Sequence, residues 1–374
     1  MANALITPAL LNWAIERSGL EPDEVASRVG VTEERLSHWL QGEKLPTFRQ
    51  ATIFAKAVAV PFGFLYLNEP PVDEVPIPDF RTITGRVSRM DANTRDLLQD
   101  IQFKREWFSD FRKRGDFEPL DFVGSFSRTD DTTQIAENIR AVLRRSDDSL
   151  FNGNLPWTNF LTRLMLAAEQ AGIWIMRSGI VKNNTSRPLN VQSFRGFAIS
   201  DPILPIVFIN GKDATAAQIF TIAHELAHLW LGSTDINTVE IGAETLDADD
   251  DLERKCNQIA AEFLTPRNEF VAAWSTEVPL IGQIDSLSRR FSVSRIVTAR
   301  RAFDLNLIER GEFFEFYRQE SARWAERRDS SGGDFYKVIP IRNGRTFTET
   351  VVSEAMRSNM LLGIKPAKLK ELRV

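Results

Sequence analysis

Apolar residues recur along this chain with two different periods, and the change of period divides it. From 92 to 114, Leu97, Leu98, Ile101, Trp107, Phe108 and Phe111 follow helical spacing. The same spacing predicts helices over about 132–145 and 156–171, the second punctuated by Gly172. Ile173–Met176, Phe194–Ile199 and Ile203–Ile209 are then apolar runs of strand length. Residues 214–231 return to a helix, and Ile219, Phe220, Ile222, Leu226, Leu229 and Trp230 leave it almost no polar face. A helix apolar nearly all round is predicted to be buried, and Gly232 is placed to cap its C-terminus. An acidic loop over 233–251 leads into a helix over 251–264 that Pro266 stops. Helices fill 278–328, and Gly332-Gly333 opens a small tail of mixed structure.

Residues 1–68 are short helices with tight turns, and the proline-rich run Pro70–Pro78 reads as a linker. The expected organisation is an all-α domain over 1–68, then a linker and connecting helix over 69–115. A domain with a small sheet follows over 116–275, a helical region over 276–328, and the tail over 329–374. The fold class is α+β. At 374 residues with 43% hydrophobic content, the chain can bury two or three cores. A net charge of −5 gives no general attraction to nucleic acid, so any DNA contact has to come from a local surface. The single cysteine, Cys256, excludes an internal disulfide framework and fits a reducing compartment. No secretory pattern opens the chain and no apolar run is long enough for a bilayer, so a cytoplasmic protein without a membrane partner is expected.

Of the three histidines, two stand four residues apart in His224-Glu225-Leu226-Ala227-His228. A four-residue step on a helix returns to nearly the same face, so both imidazoles can reach one ion. This HExxH pattern points to one Zn2+ per chain, with Glu225 beside the activated water as base. A third ligand is needed, and no histidine remains near, which leaves a carboxylate. Glu253 and Glu262 both lie on the helix after the acidic loop. Glu253 shares a flank with Asn257, Ala260 and Leu264, which reads as covered. Glu262 shares one with Lys255 and Gln258, which reads as solvated. The burial argument favours Glu253, with Glu262 as the alternative, and puts Asn257 within reach of a ligand. Cys256 lies three residues from Glu253 and reads as a core residue, with a redox-sensing role as the alternative. Tyr66, Tyr317 and Tyr336 are distant in sequence, and Arg195 is a candidate for steadying an oxyanion, against a plain surface or strand-pairing role. One of the runs 194–199 and 203–209 is a candidate to pair with an extended substrate.

Residues 22–42 carry a second pattern. Ala26 permits a close helix crossing, Gly30 a tight turn, Thr32 an N-cap, and Val31, Leu36 and Trp39 a core. As a helix-turn-helix, this segment would turn Thr32, Glu33, Glu34, Ser37 and His38 towards a major groove. Against that, residues 1–60 hold six Lys/Arg and seven Asp/Glu, which leaves a helical protein-interaction module as the alternative. A weaker, locally basic candidate of the same kind runs from Ile284 to Arg301, with packing against its neighbours as the alternative.

In combination these residues resemble known arrangements. Segment 22–42 is similar to the XRE family of helix-turn-helix domains. The region from about 130 to 310 resembles the ImmA/IrrE metallopeptidases, through Phe194–Ala198, Pro205–Asn210, Phe220–Leu229 and Glu253–Pro266. Pro78-Asp79-Phe80-Arg81 and Leu362-Gly363-Ile364-Lys365 look like parts of long proteins that join the two. The resemblance implies a compact zincin-like fold, with His224 and His228 as ligands, Glu225 as base and a carboxylate ligand in the Glu253–Asn257 segment. It also implies a role in stress or mobile-element control by cleavage of a protein substrate, a helix-turn-helix repressor in relatives. A DNA operator, a toxin partner and a homodimer belong to the same expectation. The alternative is a DNA-binding regulator or antitoxin-like protein whose zinc site is sensory or structural.

Overall fold

The computed structural model describes residues 3–71, 91–237, 251–325, 335–354 and 358–372. The linker beyond residue 71, the Pro78–Arg81 motif, most of the acidic loop and the Gly332-Gly333 pair lie outside the described residues. No helix among the described residues is long and apolar enough to cross a membrane. The chain forms two compact units, residues 1–105 with 180–189, and residues 106–179 with 190–374.

The first unit contains helices α1 (Pro8–Ser18), α2 (Pro22–Val29), α3 (Glu33–Leu40) and α4 (Phe48–Ala57), then a 3-10 turn over Phe62–Tyr66. Their apolar faces meet in one core around Leu10, Ala14, Val25, Leu36, Trp39 and Phe54. α2 and α3 are joined by Gly30-Val31-Thr32. Gly30 adopts φ 76°, a left-handed conformation that a side chain disfavours, and the Thr32 hydroxyl accepts from the N–H of Arg35 at 3.2 Å. The start of α5 (Ala92–Arg114) also belongs to this unit. There Asp96 joins two distant parts of the chain, accepting from Arg17 of α1 at 2.6 Å and from Arg187 at 2.8 Å. Arg187 also donates to the Asn93 side chain at 2.9 Å, and Asn93 donates to the Pro188 carbonyl at 2.8 Å.

The second unit is built on a four-stranded sheet in the order β1-β3-β2-β4, with β1 (Trp174–Ser178), β2 (Gly196–Ile199), β3 (Ile206–Asn210) and β4 (Asp235–Asn237). β1 and β3 are parallel, with Trp174 opposite Ile206; β2 runs antiparallel to both β3 and β4. β2 and β3 are therefore interior strands with both sides paired, and neither is open to a substrate strand as the sequence suggested. Among the described residues, the ends of the sheet are β1 and β4. β2 and β3 are buried along their whole length, which is why they read as unbroken apolar runs.

Of helices α6 (Thr132–Arg144), α7 (Trp157–Gln170), α8 (Thr215–Trp230) and α9 (Asp251–Leu264), α7 and α8 pack on this sheet, and α6 and α9 pack on α8 and on each other. α8 is the central element: thirteen of its sixteen residues are buried, and it touches α6, α7, α9, β2 and β3. Pro266 ends α9 and starts α10 (Arg267–Ala273), followed by α11 (Leu280–Phe291), α12 (Arg295–Asp304) and α13 (Arg310–Ala325). α12 leaves no exposed face before Asp304, and its Arg301 is buried against Glu262. The second helix of the basic segment 284–301 thus packs inward, while Arg289 and Arg290 at the end of α11 are exposed. Among the described residues the tail is helical rather than mixed, as α14 (Phe335–Asn343), α15 (Arg345–Ser353) and α16 (Ser358–Leu362). α14 packs on β1, where the Trp174 indole donates to the Asn343 carbonyl at 2.6 Å and stacks on Phe347 with ring centroids 4.8 Å apart.

Candidate metal centre

His224 and His228 sit one helical turn apart on α8, and their rings meet edge to edge with Nε2 atoms 3.0 Å apart. α9 lies across α8 and brings Glu253 to the same point. Its two carboxylate oxygens are 3.1 Å from Nε2 of His224 and 3.0 Å from Nε2 of His228. His224, Glu225 and His228 are 0% exposed, and the Glu253 side chain 13%.

The outer faces of the rings decide what the inner faces carry. Nδ1 of His224 lies 3.0 Å from Oδ1 of Asn257, an acceptor, and that contact favours the tautomer with the proton on Nδ1 and the lone pair on Nε2. Nδ1 of His228 lies 2.9 Å from the Ser233 hydroxyl. Protons on both Nε2 atoms would in any case face each other across 3.0 Å. Lone pairs and a carboxylate therefore converge on one point with too few protons among them, an arrangement that a cation relieves. The spacing suits one: four ligands at about 2.0–2.1 Å in a tetrahedron stand roughly 3.3 Å apart. Burial raises the Glu253 carboxyl, whereas imidazoles that carry a proton or positive charge towards it more than reverse this and hold it well below the usual carboxylate range, and a cation at the same point would act in the same direction.

His224, His228 and Cys256 also form a cluster that could hold a metal, with ligating atoms within 4.8 Å of one another. The Glu253 oxygens approach the same nitrogens more closely. Glu262 goes elsewhere. It is buried, not solvated, and accepts from the Arg301 guanidinium and the Arg267 N–H because α12 covers that flank of α9. The helical angles of α9 alone did not reveal that cover.

Glu225 points from α8 towards the sheet, and a Cβ on Gly196 of β2 would lie 3.1 Å from its Oε1. Arg195 donates to Asp213 at 2.8 Å, and Asp213 in turn accepts from the N–H of Ala214 at 2.8 Å, at the start of α8. That pairing gives Arg195 the structural, not the oxyanion, role. Ser233 is the contact that sequence reasoning missed. The signal available was its place just after the Gly232 C-cap, five residues beyond His228. In the first unit Glu33 and Glu34 are exposed at the start of α3, with Thr32 at its cap and Ser37 half-buried. His38 is half-buried and held by its own turn, 3.4 Å from both Lys44 Nζ and Glu43 Oε2.

A buried HExxH helix laid on a mixed sheet, with a carboxylate helix crossing it, is the layout of a metallopeptidase-type domain. Residues 168–303, just over a third of the chain, match the family model described as the IrrE N-terminal-like domain, Peptidase_M78. The match runs from the end of α7 through α12, so it takes in the whole sheet and both helices of the site. This segment is similar to metallopeptidase domains of the ImmA/IrrE kind. No curated protein matches the chain.

Proposed function

We propose that this chain is a zinc-dependent endopeptidase that acts as a regulator by cleaving a specific protein, with a transcription repressor as the substrate class. The observation that carries the reading is the convergence of two imidazole nitrogens and a carboxylate within 3.0–3.1 Å, with Glu225 next to one of them on α8. His224, His228 and Glu253 would hold the ion, and Asn257 would keep His224 aimed at it. Zinc bound there supplies Lewis acidity to a scissile carbonyl and to the attacking water. Glu225 receives the proton of that water on its carboxylate and passes it to the leaving amide nitrogen. Its seat against the β2 backbone limits where the carboxylate can go. Cys256, buried in the same cluster, serves as a core residue in this reading.

The N-terminal unit supplies recognition in this proposal. Its α2–turn–α3 pair supports an XRE-like helix-turn-helix that docks on a DNA operator, singly or as a homodimer, or on a protein such as a toxin. Zinc content, and cleavage of proteins encoded beside the gene by wild type and Glu225→Gln, test the reading. One zinc per chain in both proteins and cleavage by the wild type alone is the expected result. The complete burial of His224, Glu225 and His228 favours a second reading, a regulator or antitoxin-like protein whose zinc is sensory or structural. In that case Glu225→Gln changes nothing and DNA or partner binding needs the metal. A protein that binds no zinc overturns both.

A further inference from the structure

Ser233 stands just outside the helix that carries both histidines, yet it reaches back to one of them. α8 ends at Trp230, and Gly232 turns the chain with φ 68°. The turn brings the Ser233 N–H to 2.9 Å from the His228 carbonyl, and the Ser233 hydroxyl to 2.9 Å from Nδ1 of the same residue. The hydroxyl can donate to that carbonyl at 3.3 Å, which leaves its lone pairs for a proton on Nδ1. The turn is braced from outside. The Gly124 N–H donates to the Leu229 carbonyl at 2.9 Å, and a Cβ on Gly232 would lie 3.1 Å from the Gly124 Cα. A side chain at Gly232 would be tight against Gly124 as well as strained at φ 68°, and the close crossing braces the exit of α8.

We propose that Ser233 is a positioning residue for metal capture. It fixes His228 as the Nδ1–H tautomer and aims the Nε2 lone pair at the point shared with His224 and Glu253. The proposal rests on the reading of those three residues as ligands. Asn257 acts on His224 from a different helix, so the two rings are oriented by independent partners, one an amide across the α8–α9 contact and the other a hydroxyl within the exit of α8. Without the hydroxyl, the His228 ring is free to turn about its bond to Cβ or to place its proton on Nε2, and either change removes the lone pair from the site.

The test is the zinc dissociation constant of the full chain, read by competition with a chromophoric chelator, for wild type, Ser233→Ala and Ser233→Thr. Apo-protein melting is measured beside it. Partners that orient a ligand histidine change metal affinity by roughly 10- to 100-fold, and a loss of that size is expected for Ser233→Ala. Ser233→Thr keeps the hydroxyl and is expected to retain the affinity, and the apo-protein of Ser233→Ala is expected to melt with the wild type. Equal zinc affinity in wild type and Ser233→Ala overturns the proposal alone. A loss of affinity matched by a lower apo melting temperature, and not restored by threonine, overturns it in favour of a packing role. A wild type that binds no zinc overturns the ligand reading and the proposal with it.

Discussion

The pair α2–α3 and the pair α11–α12 are built by the same local rules. Each has a residue with left-handed backbone at the turn, Gly30 at φ 76° and Ser292 at φ 54°. Each has a hydroxyl N-cap on its second helix, Thr32 accepting from Arg35 and Ser294 accepting from Val297 at 3.0 Å. Their charges then part company. α3 opens on exposed Glu33 and Glu34, whereas the arginines of α12 are all ion-paired. Arg295 is 2.7 Å from Asp285 and 2.5 Å from Glu320, and Arg300 is 2.9 Å from Asp304. Arg301 is buried against Glu262 and the Thr265 carbonyl. On α12 the arginines of the basic segment are ion-paired, whereas Arg289 and Arg290 at the end of α11 are exposed, and the opening of α3 is acidic. Local charge counts describe a surface only after ion pairing is known.

The largest expected break in this comparison is Arg301→Ala. It would leave Glu262 buried without its guanidinium and cost about 3–5 kcal/mol of stability, read by urea unfolding. No substitution at an exposed charge of α3 should come near that loss. A second buried charge gives a pH signature. Glu169 on α7 accepts from the Arg345 N–H at 2.7 Å, and burial pushes its carboxyl up from 4.5 to about 7. The folded state therefore holds the proton more tightly than the unfolded chain, so this contribution to stability is complete below about pH 4.5 and is lost as pH rises through about 7. Wild type is expected to lose on the order of 3 kcal/mol across that window relative to Glu169→Gln. Equal pH slopes for the two proteins would remove the argument.

The two caps should differ less. Thr32→Ala and Ser294→Ala each remove one N-terminal hydrogen bond and should cost about 1 kcal/mol, with Ser294 the dearer because its site is buried. Identical losses would mean that the surroundings of α12 add nothing. Glu33→Gln with Glu34→Gln should have the smallest effect on stability, a loss of about a few tenths of a kcal/mol as the start of α3 loses its favourable charge. The same double change should raise affinity for non-specific DNA at low salt, measured by fluorescence anisotropy, if α3 lies near a phosphate backbone. No rise would place the partner of α3 outside nucleic acid.

Much of this architecture is legible from spacing alone. α5, α6, α7, α8 and α9 begin and end within a residue or two of the apolar periodicity, because each buries one face or, for α8, nearly every face. His224, Glu225 and His228 are adjacent on one helix, so local pattern suffices to group them. Glu253 and Asn257 needed only the next helix and an argument about burial. What was not legible depends on contacts between distant segments. β4 is three residues long and exists only through its pairing with β2. The tail is helical because α14 and α15 have Trp174 to pack on, with Gly344 passing where a Cβ would meet the indole at 2.6 Å. Glu262 looked solvated because nothing on its own helix announces Arg301. Ser233 was invisible because a serine in a turn is ordinary until the turn is seen to fold back onto His228.

The clasp made by Asp96 has a consequence for how such a chain can be divided or inherited. Arg187 lies between β1 and β2, within the segment that matches the peptidase family, yet its partners are Asp96 and Asn93. A fragment starting at residue 116 would contain the entire match and still leave that arginine without either of them. The two units are interleaved along the polypeptide, so no single cut separates them. A recombination event that exchanged one N-terminal module for another would have to supply new partners for Arg187.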